Sequence, residues 1–339
     1  MAEAKKRKCD MRALFAAIDA CDVDATKQVV TSLSPEHLGE KCLVADGEIV
    51  WTSHAESEFC KNALEKEESC FCDTLGNEKR LVICGGGHVS IPVIRMGQMI
   101  GCHVTVLEDR PKFADAARRA GADEVYCEPF KDGLQKIEGD ADTYFIIVTR
   151  GHRYDEECLE EIVKKRHAYI GMIGSRRRVA LVKEHLLERG CDKNVLNELY
   201  SPIGLNIGAE TPEEIAVAII AEIIEVKNKK KRTYGFSKEI RKAIENDTGH
   251  GQKVLATIIE RKGSAPQGIG VKMLIFEDGT CVGTIGGGCM EAGVLEKARL
   301  LMAMEGEATI CSVDLMNADA GEEGMVCGGA VKVLLEPLA

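Results

Sequence analysis

Between residues 79 and 189 the chain alternates short, wholly apolar runs with longer mixed ones, and this alternation narrows the fold more than any other feature. Residues 81–84, 103–107, 124–127, 144–148 and 168–172 read as strands. Helices are expected from about 88 to 100, from 112, from 154 and from 175 to 189. A strand that is apolar on both faces must be covered on both, which calls for a parallel sheet with helices on either side. The expected fold class is α/β, a doubly wound parallel sheet.

At 339 residues the chain has room for about two domains. The charge run Lys227-Asn228-Lys229-Lys230-Lys231-Arg232 follows a long apolar helix and precedes a polar one near 237–246, so it reads as a linker. Beyond it, 254–260, 272–276 and 330–335 read as short strands and 290–304 as the long helix of a smaller α+β domain. The expected division is an N-terminal segment 1–78, a sheet domain 79–226, a linker and helix 227–247, and a second domain 248–339. Residues 39–47, GEKCLVADG, echo residues 270–279, GVKMLIFEDG, with a one-residue gap. The N-terminal segment is either a degenerate copy of the second domain or an unrelated strand-turn unit.

A formal charge of −11 and 4% aromatic residues argue against a general nucleic-acid binder, which needs a basic face with stacking rings. No apolar run approaches the roughly 18 residues needed to cross a bilayer, and Arg12 and Asp19 interrupt what would be the core of a secretory signal. A cytoplasmic protein without membrane or nucleic-acid partners is expected. Its 15 cysteines, an odd number in a large chain, are expected to be reduced and mostly buried. Cys70 and Cys72 form the closest pair and lack the second pair that a zinc site requires.

Gly85, Gly86, Gly87 and His88 follow an expected strand and open a helix, the arrangement of a phosphate-binding turn in a Rossmann-like domain. Glu108 and Asp109 end the next strand about 20 residues on, where an acidic group reaches a ribose hydroxyl. Arg110 follows them, so a 2′-phosphate or another dinucleotide stays open. Arg150 and His152 fall after the fourth strand, and Ser175 and Arg176 after the fifth. All lie past the carboxyl ends of strands, where ligands of open parallel sheets bind, and their forked and hydroxyl donors suit an anion. The passage 201–208 leads into the capping box Thr211-Pro212-Glu213-Glu214 and could line the same pocket. The best acid–base pair is His152 with Asp155.

In the second domain, Gly286, Gly287, Gly288 and Cys289 again join a strand to a helix. Three successive glycines cost backbone entropy and imply a close approach. A thiol at a helix N-terminus favours its thiolate, which suits a metal ligand, a sulfur acceptor or a nucleophile; a small buried cysteine is the plainer alternative. Ser264 in a turn and the glycine-flanked Cys327 complete the candidates.

These stretches resemble the XdhC/CoxI family, accessory factors for xanthine dehydrogenase and other molybdenum hydroxylases. The matching residues are 263–266, 283–291 and 324–329 in one domain, and 84–89, 108–110, 149–155, 169–178 and 201–214 in the other. The resemblance implies a Rossmann-like XdhC domain and a separate CoxI-like domain. It also implies a chaperone that binds molybdenum cofactor (molybdopterin, as the mononucleotide or the cytosine dinucleotide), protects it while a cysteine desulfurase installs the terminal sulfur, and delivers it to an apo molybdenum hydroxylase. No turnover of its own is expected, a homodimer is, and Cys289 is the candidate molybdenum ligand. The family usually places the CoxI-like domain first, whereas here the complete copy comes last. NAD(P) remains the competing ligand, for an oxidoreductase, and a thiol-based redox adaptor is a third reading.

Overall fold

The computed structural model describes residues 8–62, 69–229, 235–246, 251–263, 267–314 and 329–338. It forms two compact units, one of residues 76–232 and one drawn from both ends of the chain, 1–75 with 233–339. The N-terminal segment thus shares a unit with the C-terminal domain.

The first part of the two-ended unit opens with α1 (Met11–Ala20), whose start is capped by the Asp10 carboxylate accepting from the N–H groups of Arg12 and Ala13. Then come β1 (Lys27–Ser32), β2 (Lys41–Ala45), β3 (Glu48–Thr52), the short α2 (Glu58–Asn62) and β4 (Cys70–Leu75). They make an antiparallel sheet in the order β3-β2-β1-β4. One face sends Val30, Cys42 and Val44 against Phe59 and Cys60 of α2.

The central unit contains β5 (Arg80–Cys84), α3 (Ser90–Met99), β6 (His103–Leu107), α4 (Pro111–Ala120), β7 (Glu124–Tyr126) and α5 (Phe130–Gln135). It continues through β8 (Thr143–Ile147), α6 (His152–Ile162), β9 (Tyr169–Met172), α7 (Arg176–Glu188), α8 (Lys193–Asn197) and α9 (Pro212–Lys229). All five strands are parallel, in the order β7-β6-β5-β8-β9. Alternate strand residues feed two cores. Leu81, Ile83, Val104, Val106 and Ile146 pack with α3 and α9, while Val82, Cys84, Phe145 and Ile147 pack with α5, α6 and α7. This is the doubly wound parallel sheet that the apolar runs call for. The charge run expected as a linker begins inside α9, where Lys229 pairs with Glu225 at 3.0 Å.

The second part of the two-ended unit comprises α10 (Lys238–Glu245), β10 (Lys253–Lys262), β11 (Lys272–Phe276), β12 (Cys281–Gly283), α11 (Gly288–Ala303), β13 (Thr309–Asp314) and β14 (Ala330–Pro337). Its antiparallel sheet runs β12-β11-β10-β14-β13. Val254, Ala256, Met273 and Ile275 face Met290, Val294 and Ala298 of α11. The opposite face meets the N-terminal sheet in a core shared by the two ends of the chain.

Among the described residues no helix is long and apolar enough to cross a membrane. None of the cysteines whose side chains are described is in a disulfide.

One buried ion pair anchors the entry to the central sheet. Asp142 accepts from Lys79 Nζ at 3.0 Å and from the Asn77 N–H at 2.8 Å, with both charged side chains almost fully buried. Asp142→Ala leaves the Lys79 ammonium buried beside a hole and should cost about 3–5 kcal/mol. Urea unfolding at neutral pH measures this, and Lys79→Met/Asp142→Leu should recover most of the loss.

Candidate functional site

The strand order of the central unit reverses at β5, which has β6 on one side and β8 on the other, so the crevice lies beyond the carboxyl ends of β5 and β8. The turns after these two strands touch. Gly85 has φ +115°, and a Cβ there would stand 2.5 Å from the Val148 carbonyl oxygen, so only glycine fits. Gly86 has little more room, with the Phe113 carbonyl oxygen 3.0 Å from an added Cβ. Gly87 differs, since a Cβ there meets nothing within 4 Å. No hydrogen bond within the described residues takes up the Gly87 N–H, two residues before Val89 at the N-cap of α3, and His88 beside it is exposed.

Glu108 is brought to this turn but does not face solvent. Its side chain has 0% exposure, and its oxygens accept from the Gly86 N–H at 2.8 Å, the Arg110 N–H at 3.1 Å, Arg110 Nε at 2.7 Å and Arg110 Nη2 at 3.0 Å. Its carboxylate raises the pKa of Arg110, whose guanidinium also lies 3.8 Å from the centre of the Phe113 ring. Asp109, partly exposed, holds Arg150 through both guanidinium arms, one contact being 2.8 Å. Arg150 also donates to the Tyr154 hydroxyl at 2.7 Å and lies over that ring. The hydrogen bond from Arg150 holds Asp109 below the usual aspartate range despite some burial.

A third pair stands next to these. Asp155 is fully buried, accepts from the Thr149 hydroxyl at 2.5 Å and pairs with Arg178 of α7. Burial lowers the Arg178 pKa. Sequence reasoning placed Asp155 with His152 and singled out Arg176, but the inward arginine is Arg178, while Ser175 and Arg176 are exposed at the start of α7. Ser175 caps that helix by accepting from the Arg178 N–H at 3.4 Å. His152 begins α6, and its side chain lies outside the description. The sequence signal for Arg178 was its spacing, two positions beyond Arg176 on a helix whose buried side includes Val179 and Val182.

The passage 201–208 is tied down by Glu222 of α9, which accepts from the Gly204 N–H at 2.9 Å and from the Tyr169 hydroxyl. Burial, followed by that carboxylate, pushes the Tyr169 phenol well above its usual range.

In the two-ended unit, Gly286, Gly287 and Gly288 have φ of +134°, +69° and +58°, which accounts for three glycines in succession. Glu291 folds back on this loop, accepting from the N–H groups of Ile285 at 3.1 Å and Gly287 at 3.0 Å and from the Thr284 hydroxyl. Burial raises its pKa, but these hydrogen bonds outweigh that and hold it below the usual glutamate range. Cys289 is the second residue of α11, and its side chain lies outside the description. Ser264 and Cys327 lie outside the described residues. Cys70 and Cys72 have their sulfurs 3.8 Å apart, and among the described residues no group of His, Cys, Asp and Glu is arranged to hold a metal. A cavity of about 550 Å³ in this unit is lined by Cys9, Glu40, His54, Gln252 and Glu336, away from the glycine loop.

Comparison with known proteins gives these two glycine turns a common context. Residues 81–223 match the XdhC Rossmann domain, and residues 249–314 match the XdhC and CoxI family. The chain belongs to the XdhC and CoxI family. Among curated relatives it is 32% identical over 168 residues to the uncharacterized protein YqeB of Escherichia coli, covering 47% of this chain and 29% of that one. It is 27% identical over 165 residues to a probable xanthine dehydrogenase subunit of Bacillus subtilis, covering 49% and 48%. The chain spans less than half the length of either relative. Among solved structures it is similar to one described as a xanthine dehydrogenase from Bacillus halodurans, with 26% identity, a TM-score of 0.53, and coverage of 65% of this chain and 68% of that one.

The Asp109–Arg150 pair gives the rim a pH signature. Because Asp109 has a lowered native pKa, its stabilisation is complete above the ordinary aspartate value of 3.8 and is lost as pH falls through the lowered native value. Asp109→Asn should therefore reduce stability slightly at neutral pH and flatten the acid limb of the urea midpoint plotted against pH.

Proposed function

We propose that the chain is a maturation factor for a xanthine dehydrogenase-type hydroxylase, with the molybdenum cofactor as its cargo. It would shield the cofactor while a cysteine desulfurase installs the terminal sulfur, then deliver it to the apo-hydroxylase. Family membership supports the maturation role. The observation that carries the cargo assignment is the open turn at Gly87, which leads into α3 and is tied to Arg150 through Glu108, a carboxylate that accepts from the Gly86 N–H at 2.8 Å and lies 3.6 Å from the Arg150 guanidinium. A pterin cofactor carries phosphate, as the mononucleotide or the dinucleotide. A helix N-terminus with a forked cation beside it matches that group in charge and in hydrogen-bond direction. Arg150 is held in place by Asp109 and by the Tyr154 hydroxyl, so it would meet an incoming phosphate already ordered, with Asp109 kept as its partner. Cys289, in the first turn of α11, stays the candidate molybdenum ligand on the family resemblance alone.

The competing reading, an NAD(P)-dependent oxidoreductase, needs Glu108 or Asp109 to receive a ribose hydroxyl. Glu108 is wholly buried and occupied by Gly86 and Arg110, and Asp109 is occupied by Arg150. Its acid–base pair also loses Asp155, which is committed to Thr149 and Arg178.

Equilibrium binding of isolated molybdenum cofactor and of NADP(H), under anaerobic reducing conditions, tests the assignment. Wild-type protein should bind the cofactor. Arg150→Ala should weaken binding by about 10- to 100-fold, the loss of a charge-assisted hydrogen bond. Gly87→Val should weaken it by filling the approach, and Cys289→Ala should weaken it if the thiol meets the metal. Nicotinamide binding without cofactor binding would overturn the proposal in favour of the oxidoreductase.

A further inference from the structure

The two sheets of the two-ended unit correspond strand for strand. In each, a helix leads into the first strand (α1 into β1, α10 into β10), which pairs with the first strand of a hairpin (β2-β3, β11-β12), while a later strand (β4, β14) lies on its other side. The orders β3-β2-β1-β4 and β12-β11-β10-β14 are the same, with β13 an addition at one edge. The strand registers align individual residues. Val29 faces Leu43 and Asp73, and Leu255 faces Leu274 and Glu336. Thr31 faces Lys41, and Thr257 faces Lys272. Trp51 faces Leu43, and Val282 faces Leu274. Both hairpins turn at Asp-Gly with the glycine at positive φ, Gly47 at +88° and Gly279 at +86°. The helix over the outer face also corresponds, with Phe59 and Cys60 of α2 against the first sheet and Met290, Val294 and Ala298 of α11 against the second.

The contacts between the sheets join corresponding positions reciprocally. Lys41 of the first sheet pairs with Glu336 of the second at 2.6 Å, and Lys272 of the second pairs with Asp73 of the first. All four are nearly or fully buried, and burial lowers the Lys272 pKa against the opposing pull of Asp73. The apolar core between the sheets contains Val29, Leu43 and Leu75 from one side, and Leu255, Leu274 and Leu338 from the other. Trp51 and Val282 pack at its margin. Near the crossing of α1 and α10, Arg241 lies over the Phe15 ring and forks onto Asp19. A contact set in which i meets j′ and j meets i′ is the mark of an isologous two-fold interface, the kind identical chains form.

We infer that residues 8–75 are a second, reduced copy of the fold of residues 237–338, and that their sheet fills in cis the face through which the C-terminal sheet would otherwise pair with a like sheet of another chain. The unit is an internal pseudo-dimer. Only one of its two copies carries the glycine loop: the corresponding connection in the first copy, between β3 and α2, is Ser53-His54-Ala55-Glu56-Ser57. Any ligand held by that loop therefore binds once per pair of sheets.

A charge exchange in the full-length protein tests this. Lys41→Glu and Glu336→Lys each place like charges together in the buried seam and should lower the melting temperature by roughly 10 °C. Combined in one chain they should restore most of the loss, and an equal mixture of the two single variants should restore none. Restoration by the mixture would show pairing between chains and overturn the inference, as would a combined variant no more stable than the singles. A second measurement needs no variant. Hydrogen exchange of β1, β2, β10 and β11 in wild-type protein should stay unchanged over about 100-fold dilution. Protection that falls with dilution would overturn the inference.

Discussion

A carboxylate with no exposed surface organises the rim of the central unit. Glu108 reaches from the end of β6 to the Gly86 N–H and is neutralised by Arg110. Unpaired, a buried carboxylate would be strongly destabilising; clamped by the fork, it fixes the glycine turn relative to the next strand. The turn in turn lies against the end of β8, where Arg150 and Asp155 begin their own pairings. The three arginine–carboxylate pairs make the rim a preorganised surface rather than a set of loose loops. Preorganisation of this kind suits recognition of a large anion, because little side-chain freedom is left to lose on binding.

Much of the central unit was legible because its physics is local. Runs such as Leu-Val-Ile-Cys at 81–84 can only be strands covered on both faces, and glycines followed by a helix mark a turn at a carboxyl end. The glycine positions, the acidic end of β6 and the arginine after β8 all fall on one rim. Pairing was not legible. Glu108 looks like a ribose acceptor in sequence and is a buried clamp in the fold, because Arg110 two residues later turns back on it. The choice of Arg178 over Arg176 lay in the apolar spacing of α7, where Arg178 stands beside Val179 and four positions before Val182, but the pairing of Arg178 with Asp155 did not.

The N-terminal sheet was the least visible element. β3 is half exposed, and β4 holds two cysteines, an aspartate and a threonine, so neither shows clean alternation. Its stability comes from the shared core with residues some 200 positions away. Only the echo of 39–47 in 270–279 hinted at it, and the reason the echo survives is now physical: Lys41 and Lys272 each answer a carboxylate on the opposite sheet.

Building one unit from both ends of the chain also sets a timetable for synthesis. β1, β2 and β4 leave the ribosome with Val29, Leu43 and Leu75 sharing a core only with Met11, Leu14 and Phe15 of α1, and the rest of that core follows only after the whole central unit has been made. At ordinary elongation rates that delay is on the order of ten seconds or more, with the central unit already able to fold in the interval. Throughout it, a nascent sheet with two buried-type charges, Lys41 and Asp73, lacks the part of its apolar cover that α10, β10 and β11 supply and the carboxylate and ammonium that these charges later face. Those same charges make the waiting surface less adhesive to other unfinished chains, so the groups that later fix the register first act as guards against aggregation.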